Sequence, residues 1–304
     1  MLKSIFYNTP KADCSIHETG IMCYNALKLS NKYQLDYTEN STRIDGGYDF
    51  CIFNHHHATN YWMVDNINQF SELTFAIVTE VGDYQNVLPY TPQIFDNYII
   101  LDPTIVDNNI YFGFSRPLES TPIRKKENNK LIIGSFGFPT PGKNWNEIIE
   151  RTQIEFDEAL IRFHIPRATH VPNSDRSIER IMKHCQSQIF KPDIKLEFSH
   201  HYMDKNALID WCTQNTINVF LYDRNQPGLS ATTDQAIVSE RPLWVSKNPT
   251  FRHVLFYMNP YPQTITEAIN TTLPMVKQMK KDWSPKEFAM KFETILQEKY
   301  HELH

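Results

Sequence analysis

Residues 217–254 read INVFLYDRNQPGLSATTDQAIVSERPLWVSKNPTFRHV, and the fold turns on how this stretch is parsed. It opens as a buried strand and breaks at a glycine-containing turn. It resumes as a helix entered through hydroxyl residues, then returns as a second strand behind Arg241 and Pro242. A helix starting at the carboxyl end of a buried parallel strand presents unpaired amides and the positive end of its dipole. Such a start suits an anion, phosphate above all. Thr232 and Gln235 have the spacing of a capping box, with Thr232 at the N-cap. That spacing leaves Gly228, Leu229 and Ser230 unexplained, and small residues there leave room beside the helix start.

Working outward, strand-like and helix-like stretches alternate along the chain. In the first part, 4–7, 48–53, 73–78 and 98–101 read as strands, and 21–29 reads as a helix after a loop that ends at Gly20. A polar stretch, 119–130, carries Pro122 and the basic run Arg124-Lys125-Lys126 and reads as a linker. The pattern then restarts with strands at 131–136, 160–165 and 194–198, and helices from 146 and over 177–188 and 204–212. The tail, 285–300, has the apolar spacing of an amphipathic helix. Such alternation implies α/β architecture, with βαβ units and parallel sheets. The expected organisation is two doubly wound, Rossmann-like domains facing across a cleft, over 1–122 and 123–275, with 276–304 as a helix crossing back toward the first.

The 304 residues carry 30 Lys and Arg against 35 Asp and Glu, a net charge of −5, which argues against a general polyanion binder. The 13% aromatic content fits large cores before sugar-stacking surfaces. Five cysteines without a CxxC pair suggest neither a disulfide framework nor a zinc ribbon. No segment approaches the roughly 20 apolar residues of a membrane span, and the apolar run at 5–7 is too short for a secretion signal. No integral membrane segment and a cytoplasmic location are expected.

Ligands of open α/β sheets bind beyond the carboxyl ends of the strands, so the loops there carry the candidate residues. After the first strand come His17 and Gly20, the glycine read as a close backbone approach to a substrate or as an ordinary turn. After the second apolar strand stand His55, His56 and His57. Adjacent loop histidines rarely converge on one metal ion, so one imidazole serving as acid, base or donor is the better reading. The loop GFPTPGK, 137–143, brings Gly137 and Lys143 to a helix start, a glycine and a cation suited to phosphate. It matches GxxxxGK, but Asn144 stands where a Walker loop places Ser or Thr.

These residues resemble the GT-B glycosyltransferases, in particular the retaining, sugar-nucleotide-dependent group. The resemblance rests on GSFGFPTPGK at 134–143 and YDRNQPGLSATTDQAIVSERPL at 222–243, with WSPKEFAMKFETIL at 283–296 resembling the family's last helix. It implies a metal-independent transferase without a cofactor, using a nucleotide-diphosphate sugar as donor. The acceptor is left open among a glycan, a lipid-linked saccharide, a protein and a modified nucleic acid. In that likeness Lys143 grips the diphosphate. Gly228, Leu229, Ser230, Thr232 and Thr233 form the phosphate-facing helix start, and Asp234 stands beside the place of a ribose-binding glutamate. His17, Gly20 and a histidine among His55, His56 and His57 face the acceptor. The family's two glutamates fall at Pro227 and Gln235, and this loss keeps a second reading open: a non-catalytic subunit that binds nucleotide sugar or glycan.

Overall fold

The computed structural model describes residues 1–10, 15–44, 46–56, 70–79, 94–118, 130–167, 173–224 and 228–304. His57 and all but the last residue of the linker expected at 119–130 lie outside the described residues. The chain forms two compact units. One is Met1–Glu119 with Pro227–Leu229 and Lys281–His304; the other is Ser120–Gln226 with Ser230–Lys280.

In the first unit, β1 (Leu2–Tyr7), β2 (Tyr33–Thr38), β3 (Phe50–His55), β4 (Thr74–Val78), β5 (Asn97–Ile100) and β6 (Tyr111–Gly113) form one parallel sheet in the order β2-β1-β3-β4-β5-β6. Strands β3, β4 and β5 are buried along their whole length, which requires their near-continuous apolar runs. Alternate residues serve opposite faces. Phe6, Phe50, Ile52, Phe75 and Ile77 belong to one core cluster, and Ile5, Cys51, Phe53, Ala76 and Val78 to the other. Helix α1 (Ser15–Leu27) and the last helix share the first of these clusters through Cys23, Ala26, Leu27, Phe288, Phe292 and Ile295. Two strands escape the apolar-run reading. YQLDYT of β2 lies at the sheet edge with alternating burial, and β6 has only three residues.

The second unit repeats the architecture with β7 (Ile132–Phe136), β8 (Ala159–His164), β9 (Ile194–Ser199), β10 (Ile217–Phe220) and β11 (Leu243–Val245), all parallel, in the order β11-β10-β7-β8-β9. Helices α2 (Trp145–Glu155), α3 (Ser174–Ser187), α4 (Lys205–Thr213), α5 (Thr232–Val238), α6 (Arg252–Leu255), α7 (Ile265–Thr271) and α8 (Leu273–Asp282) follow, and α9 is Pro285–Leu303. Strand order reverses direction at β1 and β3 in the first unit, and at β7 and β10 in the second. Those two crevices are where this topology places ligands.

Local signals set the helix ends. Asp204 caps α4 by accepting from the amide of Ala207 (2.8 Å), and Ser284 caps α9 by accepting from that of Glu287. Helix α5 departs from expectation. Its N-cap is Ala231, in αR conformation and without a side-chain cap, so Thr232 is the first helical residue and the capping box does not form. The Thr232 hydroxyl is engaged elsewhere. At the far end of α5, Glu240 adopts a left-handed φ of 50°, a position that favours glycine, and Lys280 bonds both its carboxylate (2.7 Å) and the Val238 carbonyl (3.3 Å).

Candidate functional site

In the second unit the loop after β7 and the segment after β10 meet at the reversal of strand order. Two glycines make the approach. Gly137 has φ 151°, and a β-carbon on it would stand 3.0 Å from Lys143 Nζ. Gly142 has φ 77° and lies against the Asp223 carbonyl and the Arg224 side chain, while its own carbonyl accepts from the Asp223 amide (2.9 Å). Only glycine combines positive φ with so close a contact.

Lys143 is buried, with 7% of its surface exposed. Its Nζ donates to the Tyr222 hydroxyl (2.7 Å) and stands 3.9 Å from the centre of the same ring. The Tyr222 hydroxyl lies 3.1 Å from Thr232 Oγ1, which lies 2.8 Å from Ser230 Oγ. Lys143, Ser230 and Thr232, distant in sequence, are thus joined by Tyr222 in one chain of polar groups. Burial holds the Lys143 amine down to about 7, and the neighbouring Arg224 charge adds to the effect. Burial likewise pushes the Tyr222 phenol up to about 12. A cavity of about 400 Å³ opens beside Tyr222, lined by Asn144, Arg151, Trp244, Lys247 and Tyr261 among others.

The remaining residues expected at this helix start divide. Thr233 is fully buried and turns its hydroxyl to the Ser230 carbonyl (3.1 Å) and His253 Nε2 (3.0 Å), so it braces the helix start from within. Asp234 is 8% exposed in the first turn of α5. Gly228 and Leu229 are half-buried. Sequence alone assigns no role to Tyr222 and Arg224. Their available signal was position alone, directly after the apolar strand that ends at the reversal point.

At the corresponding crevice of the first unit, Asn8 follows β1 and Asn54 lies near the end of β3, both fully buried. Asn54 donates to Asn8 Oδ1 (2.6 Å) and to the Ile16 carbonyl (2.9 Å), and Asn8 donates to the Tyr37 hydroxyl (3.1 Å). His17, in the first turn of α1, gives its Nδ1 proton to the Thr9 carbonyl (2.6 Å), which fixes the tautomer. Its Nε2 faces Glu39 at 3.9 Å, and that carboxylate accepts from Tyr37 (2.7 Å). Gly20 lies inside α1, not in a turn before it. A β-carbon there would overlap Asn8 Oδ1 and Asn54 Nδ2, so the glycine serves helix-to-sheet packing and not approach to a substrate. His55 is likewise corrected from loop to strand. It ends β3, is 5% exposed and packs edge-on against Phe95 at 5.2 Å, whereas His56 is half-buried. Among the described residues no group of three His, Cys, Asp or Glu could hold a metal ion, and no helix is long and apolar enough to cross a membrane.

Anabaena HepE in complex with UDP and glucose superposes with a TM-score of 0.63 at 7% identity, over 98% of this chain and 100% of that one. An α-glucosyltransferase in complex with UDP gives 0.52 at 10% identity, over 98% and 96%. An α-glucosyltransferase in complex with UDP-glucose and DNA containing an abasic site gives 0.52 at 12%, over 97% and 95%. The chain has the GT-B fold. No family model and no curated relative matches its sequence. Within the GT-B fold, Lys143, Tyr222 and the start of α5 occupy the carboxyl ends of the central strands of the second Rossmann-like unit.

Proposed function

We propose that this protein is a glycosyltransferase that moves a sugar from a nucleoside diphosphate donor to an acceptor hydroxyl. The observation that carries the reading is the chain Lys143–Tyr222–Thr232–Ser230, set against the glycines of the 137–143 loop. Two basic side chains, Lys143 and Arg224, converge there with hydroxyl donors and the first amides of α5, a set suited to a diphosphate. The cavity beside Tyr222 has the room and the ring face, on Tyr261, to take a nucleoside. UDP bound to the similarly folded HepE and α-glucosyltransferase makes UDP the first nucleotide to test.

In the reaction the bond between the anomeric carbon and the diphosphate oxygen breaks, and a bond from that carbon to the acceptor oxygen forms. The acceptor proton passes to a base or to the departing diphosphate. Charge grows on the diphosphate as it leaves, and Lys143, Arg224, Ser230 and Thr232 would stabilise it. Fixed donors of this kind are often the largest single contribution to catalysis. With two protein cations at the leaving group the chemistry is assigned as metal-independent, and the likeness of the motifs to the retaining group assigns retention of configuration. The acceptor hydroxyl is assigned to the first unit, at His17, His55 and His56.

A thermal-shift screen of UDP, GDP and their sugars tests the donor reading. UDP or a UDP-sugar at millimolar concentration should raise the midpoint by several degrees, and no response to any nucleotide would sink it. Donor consumption with glycan, lipid-linked saccharide, protein and DNA acceptors then separates transfer from binding alone. The absence of carboxylates at 227 and 235 supports the second reading, a non-catalytic binding subunit. Persistent binding without transfer or donor hydrolysis would favour it.

A further inference from the structure

Lys143 is an odd phosphate ligand. A lysine intended to meet an anion usually waits in water, where its charge costs nothing. Here the residue is 7% exposed and its amine rests over an aromatic ring. Its hydrogen-bond partner is the neutral Tyr222 hydroxyl. The charged group facing it is Arg224, of the same sign, from the segment after β10. Among the described residues no carboxylate pairs with it; Asp223, which directly follows Tyr222, and Asp234 on α5 are not among its partners. A buried ammonium without a counter-ion is strongly disfavoured against the neutral amine. A diphosphate reverses that balance, because it supplies the missing negative charge at the same place.

Resting on the diphosphate reading above, we infer that burial beside Arg224 favours the neutral amine of Lys143 in the free protein, and that a diphosphate binds together with a proton taken from solvent by Lys143 Nζ. The balance is simple: the amine gains a proton, the buffer loses it, and no other bond changes. Tyr222 is then a positioning residue. Its ring and hydroxyl keep the neutral amine aimed at the site, and its link to Thr232 and Ser230 places that amine beside the other donors. The burial that brings the Lys143 amine down to about 7 agrees with this geometry. Binding should weaken as pH rises above neutrality, although the ligand becomes no less anionic.

Two measurements test this on the full-length protein. The first follows the Lys143 side chain by NMR across pH in the free protein, assigned by its loss in Lys143→Arg. A midpoint near neutrality is expected, and one at the ordinary lysine value overturns the inference whatever binds. The second is calorimetry of UDP and of inorganic pyrophosphate at about pH 8.5 in buffers of different ionisation enthalpy, where uptake of about one proton is expected. Lys143→Arg keeps a charge that cannot be shed, so it should bind UDP with no uptake, and Tyr222→Phe, which removes the hydroxyl between Lys143 and Thr232, should weaken UDP binding while the uptake of a proton persists. Binding of UDP by the wild type without uptake overturns the proton-coupled site and leaves the diphosphate reading standing. A neutral midpoint with no binding of either probe overturns the diphosphate reading, and with it the coupling.

Discussion

Gly20 of α1 lies directly against the Asn8–Asn54 pair, so close that a β-carbon would overlap both amide groups. The helix is therefore seated on the carboxyl ends of β1 and β3 by an absent side chain. Gly20→Ala should lower stability by about 2 kcal/mol, even though alanine is the better helix former, because overpacking at a rigid polar contact outweighs propensity. Urea unfolding checks it. An unchanged midpoint would mean that α1 shifts freely over the asparagines.

Lys143 also controls stability. Its amine has a folded value of about 7 against an ordinary 10.5, so the cost of burying its charge is fully present below about pH 7 and is relieved as pH rises from there toward 10.5. Lys143→Met should raise the melting temperature, more at pH 6 than at pH 9, while abolishing UDP binding. A gain independent of pH would refute the assignment of charge.

The helix starts at Asp204 and Thr232 should behave differently. Asp204→Ala removes a true cap from α4 and should cost about 1 kcal/mol. Thr232→Ala removes no cap, so its effect should fall on UDP affinity through the lost contacts to Tyr222 and Ser230. Paired denaturation and binding curves for both variants separate the roles.

His164 is buried at the end of β8, bonded to Ser199 (2.8 Å), and held down to about 4 by burial with help from His201 and His200. Its folded value lies below the ordinary 6.5, so the unfolded chain takes up protons first, and stability is lost as pH falls through that window. His164→Phe should flatten the decline in stability between pH 6.5 and 4. An unchanged slope would assign the decline to other groups.

Phe292 of α9 is fully buried, with its ring 5.0 Å from Phe75, 6.1 Å from Tyr33 and 6.2 Å from Phe50. Phe292→Ala should cost about 4 kcal/mol, because the cavity opens in the core of the first unit. A loss below 1 kcal/mol, measured by chemical denaturation, would mean that the helix contributes little to that core.

Much of the fold was legible because buried parallel strands must be apolar throughout. LTFAIV and YIIL announced β4 and β5 directly. YQLDYT did not announce β2, since an edge strand exposes alternate residues and reads as polar. Gly20 was misplaced for a related reason: a glycine in a helix and a glycine in a turn look alike until the opposing surface is known. The same holds for Thr232, whose spacing to Gln235 satisfies a capping box that the backbone does not form.

The residues alone determined two Rossmann-like units, the loop of Gly137 and Lys143, and the hydroxyl-rich start of α5, because strand burial and phosphate-suited loops both leave local patterns. Only the tertiary structure decided that Tyr222 joins Lys143 to Thr232 and Ser230, that Arg224 stands beside them, and that Thr233 turns inward. Those facts depend on which segments meet at the reversal of strand order and on how much water is left there. Neither is written in any single stretch of the chain.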